Sequence, residues 1–371
     1  MKSRIRLAIL TMGFSGLVAE ILLLRELLIV FSGNELCIGI IMANWLILEA
    51  LGCLIVRRKA AESRNGPEAL AVISILFSLS LFAAVFATRI LRTAMGVSVG
   101  ESVGFVPMFC CSFAILLPVA LLHGALFTFS CQVYAVLSSQ DVSSAGKVYA
   151  YETVGTIAGG VACTYLLIPY LNTFWAFSGL ALMNMIASLV LVAPYWKTGL
   201  AQKTIVVALG ALTFASGYLV LAGQADRLHQ LSISAQWRGH NLVHYQNSQY
   251  GNICVVENQG QYIFFQDGVP SVMTPIPDVP HVEAFVHLPL LAHSEPRRLL
   301  ILSGGAGGVI REALRHPSVE AIEYAELDPL LLDLFRRFPT PLTESELNDR
   351  RVKTRHIDGR LLVQTTRDTY D

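Results

Sequence analysis

Charge is what this chain has least of. Only 15% of its 371 residues are Asp, Glu, Lys or Arg, and the formal net charge is zero. Without a basic surplus there is no electrostatic footprint for nucleic acid, which is therefore not an expected partner. Metal-ligand spacing is missing as well. None of the seven cysteines forms a Cys-x-x-Cys pair, and no Cys/His group has the spacing of a zinc site, so no metal is expected. Cys37, Cys53, Cys110, Cys111, Cys131 and Cys163 lie in or beside apolar runs and read as small buried hydrophobes, while Cys254 stands alone in the more polar part. Adjacent Cys110 and Cys111 are poorly placed for a disulfide, which needs a wider Cα separation than a strained neighbour pair gives.

Hydrophobic length is what the chain has in abundance. Hydrophobic residues make up 54%, and the mean hydropathy is +0.55. A bilayer-spanning helix needs about 20 apolar residues. Seven segments qualify: Ile5–Phe31, Leu36–Val56, Ala69–Thr88, Phe105–Val136, Val148–Tyr170, Phe174–Val192 and Ile205–Ala222. The first is too long for a cleaved signal peptide and carries Glu20, Arg25 and Glu26. Residues 1–222 thus read as a transmembrane helical domain in a cell (inner) membrane, and 223–243, with Arg227, His229, Arg238 and His240, as a polar linker.

Inside the spans lie Glu20, Glu49, His123 and Glu152. Ionisable groups at bilayer depth are costly and face a bundle interior. They suit either a polar path or amine-binding cavity, or hydrogen-bonded glue between helices. Gly155, Gly159 and Gly160 suit close helix packing.

Beyond residue 243 the texture changes. Tyr250–Glu257, the turn Asn258-Gln259-Gly260 and Tyr262–Phe265 read as a β-hairpin, and Val282–Leu291 as a helix. Then come a strand Arg298–Leu302, the glycine-rich turn Ser303-Gly304-Gly305-Ala306-Gly307-Gly308, and a helix Val309–Arg315. A strand Ala321–Glu326, a helix Pro329–Arg337 and a strand Val352–His356 follow. Alternating units of this kind indicate a parallel sheet with crossover helices. A glycine turn between strand and helix lets a ligand approach the backbone. Glu326, 18 residues past Gly308, has the place of an acid that holds ribose hydroxyls. Residues 244–295 read as an N-terminal β/helix region and 296–371 as a Rossmann-like nucleoside-binding domain.

These segments resemble the spermidine synthase family, the polyamine aminopropyltransferases, and in particular its membrane-fused members. The resemblance runs from His244 to Asp371. It is carried by Ser248–Ile253, Asp267-Gly268, Glu283–Leu290 with His287-Leu288-Pro289-Leu290, Leu299–Gly308, Arg311–Pro317, Ala325–Pro329, Asp349–Val352 and Asp358-Gly359-Arg360. It implies a methyltransferase-type α/β fold after a small β-hairpin region. It also implies transfer of an aminopropyl group from decarboxylated S-adenosylmethionine to putrescine, with no permanently bound cofactor. Expected partners are a small-molecule amine, the lipid bilayer and a second copy of the chain.

Carried onto this sequence, Gly304, Gly305, Gly307 and Gly308 would let the cosubstrate approach, and Glu326 would hold the ribose. Asp358 and Gly359 would face the adenine, while Tyr250, Asp278 and Glu283 would lie at the amine site. Each has a plain alternative. Glu326 can be a solvated strand-end acid, the glycines a tight turn, Asp358 a turn residue and Asp278 a helix cap; His281 and His287 suit packing. Four departures stand out. Ser303 replaces the first glycine of the family's loop, and Ala306 replaces the loop Asp that sits near the aminopropyl amine. Tyr250-Gly251 stands for a Tyr-Gln pair, although Tyr245-Gln246 lies upstream, and the acidic amine cluster is reduced to Asp278, His281 and Glu283. The catalytic Asp is expected after the strand that opens at Tyr370-Asp371, so the chain is expected to be C-terminally truncated and inactive alone. The alternatives are another S-adenosylmethionine-type transferase, suggested by Ala306, and a membrane transporter or sensor with a nucleoside-binding domain.

Lys2, Arg4, Arg6, Arg57, Arg58, Lys59, Arg64, Lys147, Lys197 and Lys203 fall on one side of the spans, against Arg89 and Arg92 on the other. The positive-inside rule then places the N-terminus in the cytoplasm. Seven crossings from there leave the C-terminal domain outside. Either one segment fails to cross, with the fourth (Pro118, His123) as candidate, which returns the domain to the cytoplasm, or the domain faces outward, where its cosubstrate is scarce, and has another task. Reporter fusions after Gly66, Ser138 and Gly199 are expected to give cytoplasmic signals, and an extracytoplasmic signal at Gly66 would overturn the orientation. A fusion near Arg238 decides whether one segment fails to cross.

Overall fold

The computed structural model describes residues 1–33, 35–63, 65–101, 103–138, 143–194 and 199–371. Arg64 and Lys197, counted above among the loop charges, lie outside these residues. The chain forms two compact units, Met1–Arg238 and Gly239–Asp371.

The first unit is all helical. Its elements are α1 (Lys2–Phe31), α2 (Glu35–Glu62), α3 (Gly66–Met95), α4 (Phe105–Leu137), α5 (Ser144–Ala162), a π-helical segment (Cys163–Leu167) leading into α6 (Ile168–Tyr170), α7 (Thr173–Val192), α8 (Leu200–Leu221) and α9 (Gln224–Gln236). Among the described residues, six helical stretches are long and apolar enough to cross a bilayer by length and composition, ending with Thr173–Val192. The seventh expected segment coincides with α8.

Two features differ from the sequence reading. The fourth segment is unbroken through Pro118. The irregularity sits instead in the fifth, where the π turn precedes Pro169, a residue with no N–H to continue an α-helical ladder. The stretch read as a linker is largely α9, which packs on α3 and α7 as part of the first unit.

Close packing here depends on glycine. A Cβ at Gly13 would lie 2.1 Å from the Glu152 carbonyl oxygen, and one at Gly155 2.1 Å from that of Leu10, so α1 and α5 touch backbone to backbone. Gly52 and Gly124 do the same for α2 and α4. Backbone approach this close adds dispersion contacts along each helix pair.

One charged network crosses this unit. Arg89, 0% exposed, makes a two-pronged pair with Glu26, with Nε to Oε2 at 2.8 Å and Nη2 to Oε1 at 2.6 Å. Thr173 donates to Glu26 Oε1 at 2.6 Å, and Arg89 Nη1 donates to Ser232 Oγ at 2.7 Å. Arg92 donates to the Val30 and Glu101 carbonyls at 2.6 and 2.7 Å. Both arginines are therefore internal struts rather than loop charges. Arg89 Nη1 also lies 3.1 Å from His229 Nδ1 on α9. Because a guanidinium only donates, that nitrogen must be the unprotonated acceptor.

The second unit opens with a four-stranded antiparallel meander, β1 (Leu242–Asn247), β2 (Asn252–Asn258), β3 (Gln261–Gln266) and β4 (Val269–Thr274), in that order. The expected hairpin is β2–β3, and β1 and β4 extend it on both sides. Asp267 and Gly268, with φ of 46° and 77°, make the left-handed two-residue turn that suits a twisted hairpin. Then follow α10 (Val279–Ala292), β5 (Arg298–Leu302), α11 (Val309–Leu314), β6 (Ala321–Glu326), α12 (Pro329–Arg337), α13 (Pro341–Leu347), β7 (Val352–His356) and α14 (Gly359–Thr365). β5, β6 and β7 form a parallel sheet in that order, with Leu302 opposite Ala325 and Glu326 opposite His356. Asp371 pairs with Arg298 on the free edge of β5, its N–H donating to the Arg298 carbonyl at 2.9 Å and its carboxylate accepting from the Arg297 and Arg298 N–H groups. Val255, Phe264 and Val272 of the meander share one core with Ile310, Tyr324 and Phe335, so the two regions read separately in the sequence fold together.

Burial, and then the Arg89 charge, push His229 down to about 4, below the usual histidine range. A base with a depressed folded value favours folding only while it is neutral in both states. Its contribution is intact above about pH 6.5 and is lost as pH falls toward 4, by roughly 3 kcal/mol over that window. The melting temperature of the detergent-solubilised chain is expected to fall across this range and to fall less in His229→Gln. An unchanged pH profile in the variant would contradict the assignment.

Candidate functional site

The parallel register lines up the carboxyl ends of three strands. That rim carries Ser303 and Gly304 after β5, Glu326 at the end of β6, and Ile357-Asp358-Gly359 after β7. Ligands of open α/β sheets bind outside this rim, at the point where strand order reverses.

The glycine turn divides into a buried and an open half. Gly307 and Gly308 have φ of 92° and 120° and sit under Val272, Pro277 and Val282. A Cβ on Gly305 would lie 2.8 Å from the Tyr324 ring. Gly304, with φ of 68°, has nothing within 4 Å of the place a Cβ would take. Ser303 and Gly304 are exposed, as is Leu302 at 47%. Backbone approach is therefore open at Gly304, whereas Gly305, Gly307 and Gly308 are required by packing and by left-handed backbone.

The N–H groups at the head of α11 are occupied from within. Glu346 of α13, fully buried, accepts from Gly307 N–H at 2.7 Å, Gly308 N–H at 2.8 Å and Arg311 N–H at 3.0 Å. Burial raises the Glu346 carboxyl above its usual range, against the pull of the three donors. The turn is thus not an open anion cradle. Its helix end is closed by a carboxylate 38 residues further on, and no pattern near the turn announced it.

Glu326 is 2% exposed. Ser303 Oγ donates to its carboxylate, 3.1 Å from each oxygen, and Tyr324 OH donates to Oε2 at 2.7 Å. Its own neighbour Leu327 gives an N–H at 3.0 Å. Burial and the Glu326 charge push the Tyr324 hydroxyl up, which keeps its proton in place as a donor. The carboxylate at the predicted ribose position is therefore already a receiver of hydroxyl groups. Tyr324 lies two residues before Glu326, on the same face of the strand, and could have been read from period-two spacing. Ser303 reads in the sequence only as a replaced glycine, and its partner becomes visible in the fold.

Asp358 caps α14, its Oδ1 accepting from Arg360 N–H at 2.7 Å and Leu361 N–H at 3.4 Å. Gly359 packs against Leu302, the nearest atom 3.0 Å from a would-be Cβ. Asp278 caps α10 through His281 N–H at 3.3 Å. Its neighbour Pro277 lies over Gly308, which brings the start of α10 to the buried end of the turn. Glu283 is exposed on α10, and Tyr250 is exposed in the β1–β2 turn. That turn is tied to the β6 rim by a short hydrogen bond from Ser248 Oγ to Asp328. Ala306 is 3% exposed and belongs to the core with Val272 and Ile310. Among the described residues no group of three His, Cys, Asp or Glu side chains could hold a metal ion.

Residues 279–371 match the family model described as the spermine/spermidine synthase domain. Polyamine aminopropyltransferase 1 of Pseudomonas aeruginosa is 31% identical over 132 residues, which is 35% of this chain and 46% of the relative. Spermidine synthase 2 of Hyoscyamus niger is 35% identical over 132 residues, 35% of this chain and 39% of the relative. A solved spermidine synthase from Thermotoga maritima is 26% identical over 35% of this chain and 46% of its own length, with a TM-score of 0.32. The chain thus spans less than half the length of each of these proteins.

Removing Glu346 leaves three backbone donors without an acceptor, and each unsatisfied buried donor costs about 1–3 kcal/mol. In Glu346→Ala, hydrogen exchange of the peptide covering residues 303–315 is expected to accelerate at least about tenfold. Unchanged exchange would show that the turn is held by its packing alone.

Proposed function

We propose, from the premise that residues 279–371 form a spermine/spermidine synthase domain, that this chain acts as a membrane-tethered aminopropyltransferase-like enzyme whose C-terminal unit binds an adenosyl sulfonium. The observation that carries the reading is the Glu326 carboxylate. It is a buried acid at a strand end, beside open backbone at Gly304, with two hydroxyls already directed at it. A ribose diol offers the same donors. In this reading its hydroxyls take the place of Ser303 Oγ, which is exposed and free to rotate away. Adenine then rests on the apolar surface of Leu302 beside Gly359. Asp358, which spends one oxygen on the helix cap, keeps the other for an exocyclic amine.

The chemistry asked of such a site is modest. A sulfonium is a good leaving group, so an amine nitrogen displaces it once aligned and neutral, and alignment is the larger contribution. The amine lone pair forms the new C–N bond, the C–S bond breaks to a neutral thioether, and the amine proton passes to a base. Tyr250, Asp278 and Glu283 are the residues we assign to the amine side; putrescine is the proposed acceptor and decarboxylated S-adenosylmethionine the proposed donor.

Ala306 favours a second reading. A carboxylate at its position would attract the ammonium of an aminopropyl group, and here the position is a buried methyl in the core. A cosubstrate that keeps its own carboxylate, as S-adenosylmethionine does, loses nothing by that change.

Calorimetric titration of the detergent-solubilised chain with both forms tests the proposal and separates the readings. Glu326→Ala is expected to weaken binding by about 1.5–3 kcal/mol, the scale of hydrogen bonds to a charged partner. Equal affinity in the variant removes Glu326 from the site. Preference for the form that keeps its carboxylate selects the second reading.

A further inference from the structure

The helical unit holds a group of ionisable side chains that the C-terminal chemistry does not use. His123 of α4, 5% exposed, places Nδ1 2.8 Å from Glu49 Oε1 of α2. Its ring is walled by Trp45 and Phe77, with centroids 6.2 and 5.8 Å away. Its other nitrogen faces α1 at Gly16, where a Cβ would lie 2.1 Å from Nε2, so the glycine makes room for the imidazole. Glu20 lies one turn beyond Gly16 on the same face of α1. Glu152 of α5 stands where its backbone abuts Gly13. The charges acting on Glu20 and Glu152 are those of His123 and Glu49.

Chemistry then singles out one atom. A carboxylate only accepts, so the Nδ1 proton is the one donated to Glu49. Nε2 is buried and makes no hydrogen bond. In neutral His123 it is a buried lone pair with no donor directed at it, which costs free energy until a donor or a proton arrives. On protonation it becomes a donor, and the Met12 carbonyl on that side can accept from it. Charge balance points the same way. Three carboxylates interact with one imidazolium at most, so the group keeps a net negative charge unless it takes up further protons. An uncompensated charge is costly at bilayer depth.

We propose that the helical unit contains a proton-binding site, with His123 Nε2 as its primary acceptor and Glu20 and Glu152 as the carboxylates that hold further protons beside it. The titratable groups that act on its members are Glu20 of α1, Glu49 of α2 and Glu152 of α5, with Cys131 of α4 beside Glu152 and Cys53 of α2 beside Cys131; from α3 the Phe77 ring packs on the imidazole. The Glu49 pair orients the ring and fixes which nitrogen is open. This assignment is independent of any ligand of the C-terminal unit.

The test is nitrogen NMR of the full chain in lipid, labelled at histidine, followed from about pH 8 to about pH 5, the range in which histidine titrates. The resonance absent from His123→Asn is expected to convert from a bare to a protonated Nε2 within that range. In Glu49→Gln its midpoint is expected to shift by about one pH unit or more, which also assigns the resonance if His123→Asn does not fold. Putrescine at fixed pH is expected to leave it in place. An Nε2 that stays in one state throughout overturns the site. Displacement of the resonance by putrescine overturns it in favour of an ammonium site.

Discussion

A single buried carboxylate organises the C-terminal unit. Glu346 gathers the N–H groups of Gly307, Gly308 and Arg311, and so fixes how the chain leaves β5 and enters α11. With the helix end of the turn closed, the open backbone falls at Ser303 and Gly304. The Tyr324 ring under Gly305 and the Tyr324 hydroxyl on Glu326 then couple that turn to the end of the next strand. The proposed ligand rim is what remains once these internal partners are satisfied. It is narrow, apolar at Leu302 and Gly359, and acidic at Glu326.

The helical unit is held by other means. Glycines let α1 meet α5, and α2 meet α4, at backbone distance, and a wholly buried Glu26–Arg89 pair ties α1 to α3, α7 and α9. Breaking such a pair from one side leaves an uncompensated buried charge, so it constrains which helices can be neighbours more than it adds to stability. Its hydroxyl and imidazole partners come from Thr173, Ser232 and His229, which explains why a polar stretch such as α9 packs within this unit.

Much of this was legible in the residues. Apolar length fixed the positions of the helices, and the strand–glycine turn–helix unit with Glu326 beyond it located the rim. What escaped were features whose partners lie far apart in sequence. β1 and β4 are short, mixed strands whose pairing is decided across the sheet. α9 looked like a linker because its buried face is polar and meets charges on other helices. Glu346 sits in a helix that pattern reading did not find. Its role depends on burial, and no spacing rule links it to Gly307. Asp278 carried both a ligand and a capping reading and Asp358 a ligand and a turn reading; in the fold each caps the helix that follows it, a role compatible with a ligand on the remaining carboxylate oxygen.

The account stands on Glu326 as the ribose-binding acid. A structure of the chain with 5′-methylthioadenosine, the thioether that aminopropyl transfer leaves behind, tests this most directly. The ribose hydroxyls are predicted on the Glu326 carboxylate, with Ser303 Oγ turned away and the adenine against Leu302 and Gly359. A nucleoside bound elsewhere, with Ser303 and Tyr324 still donating to Glu326, would contradict it.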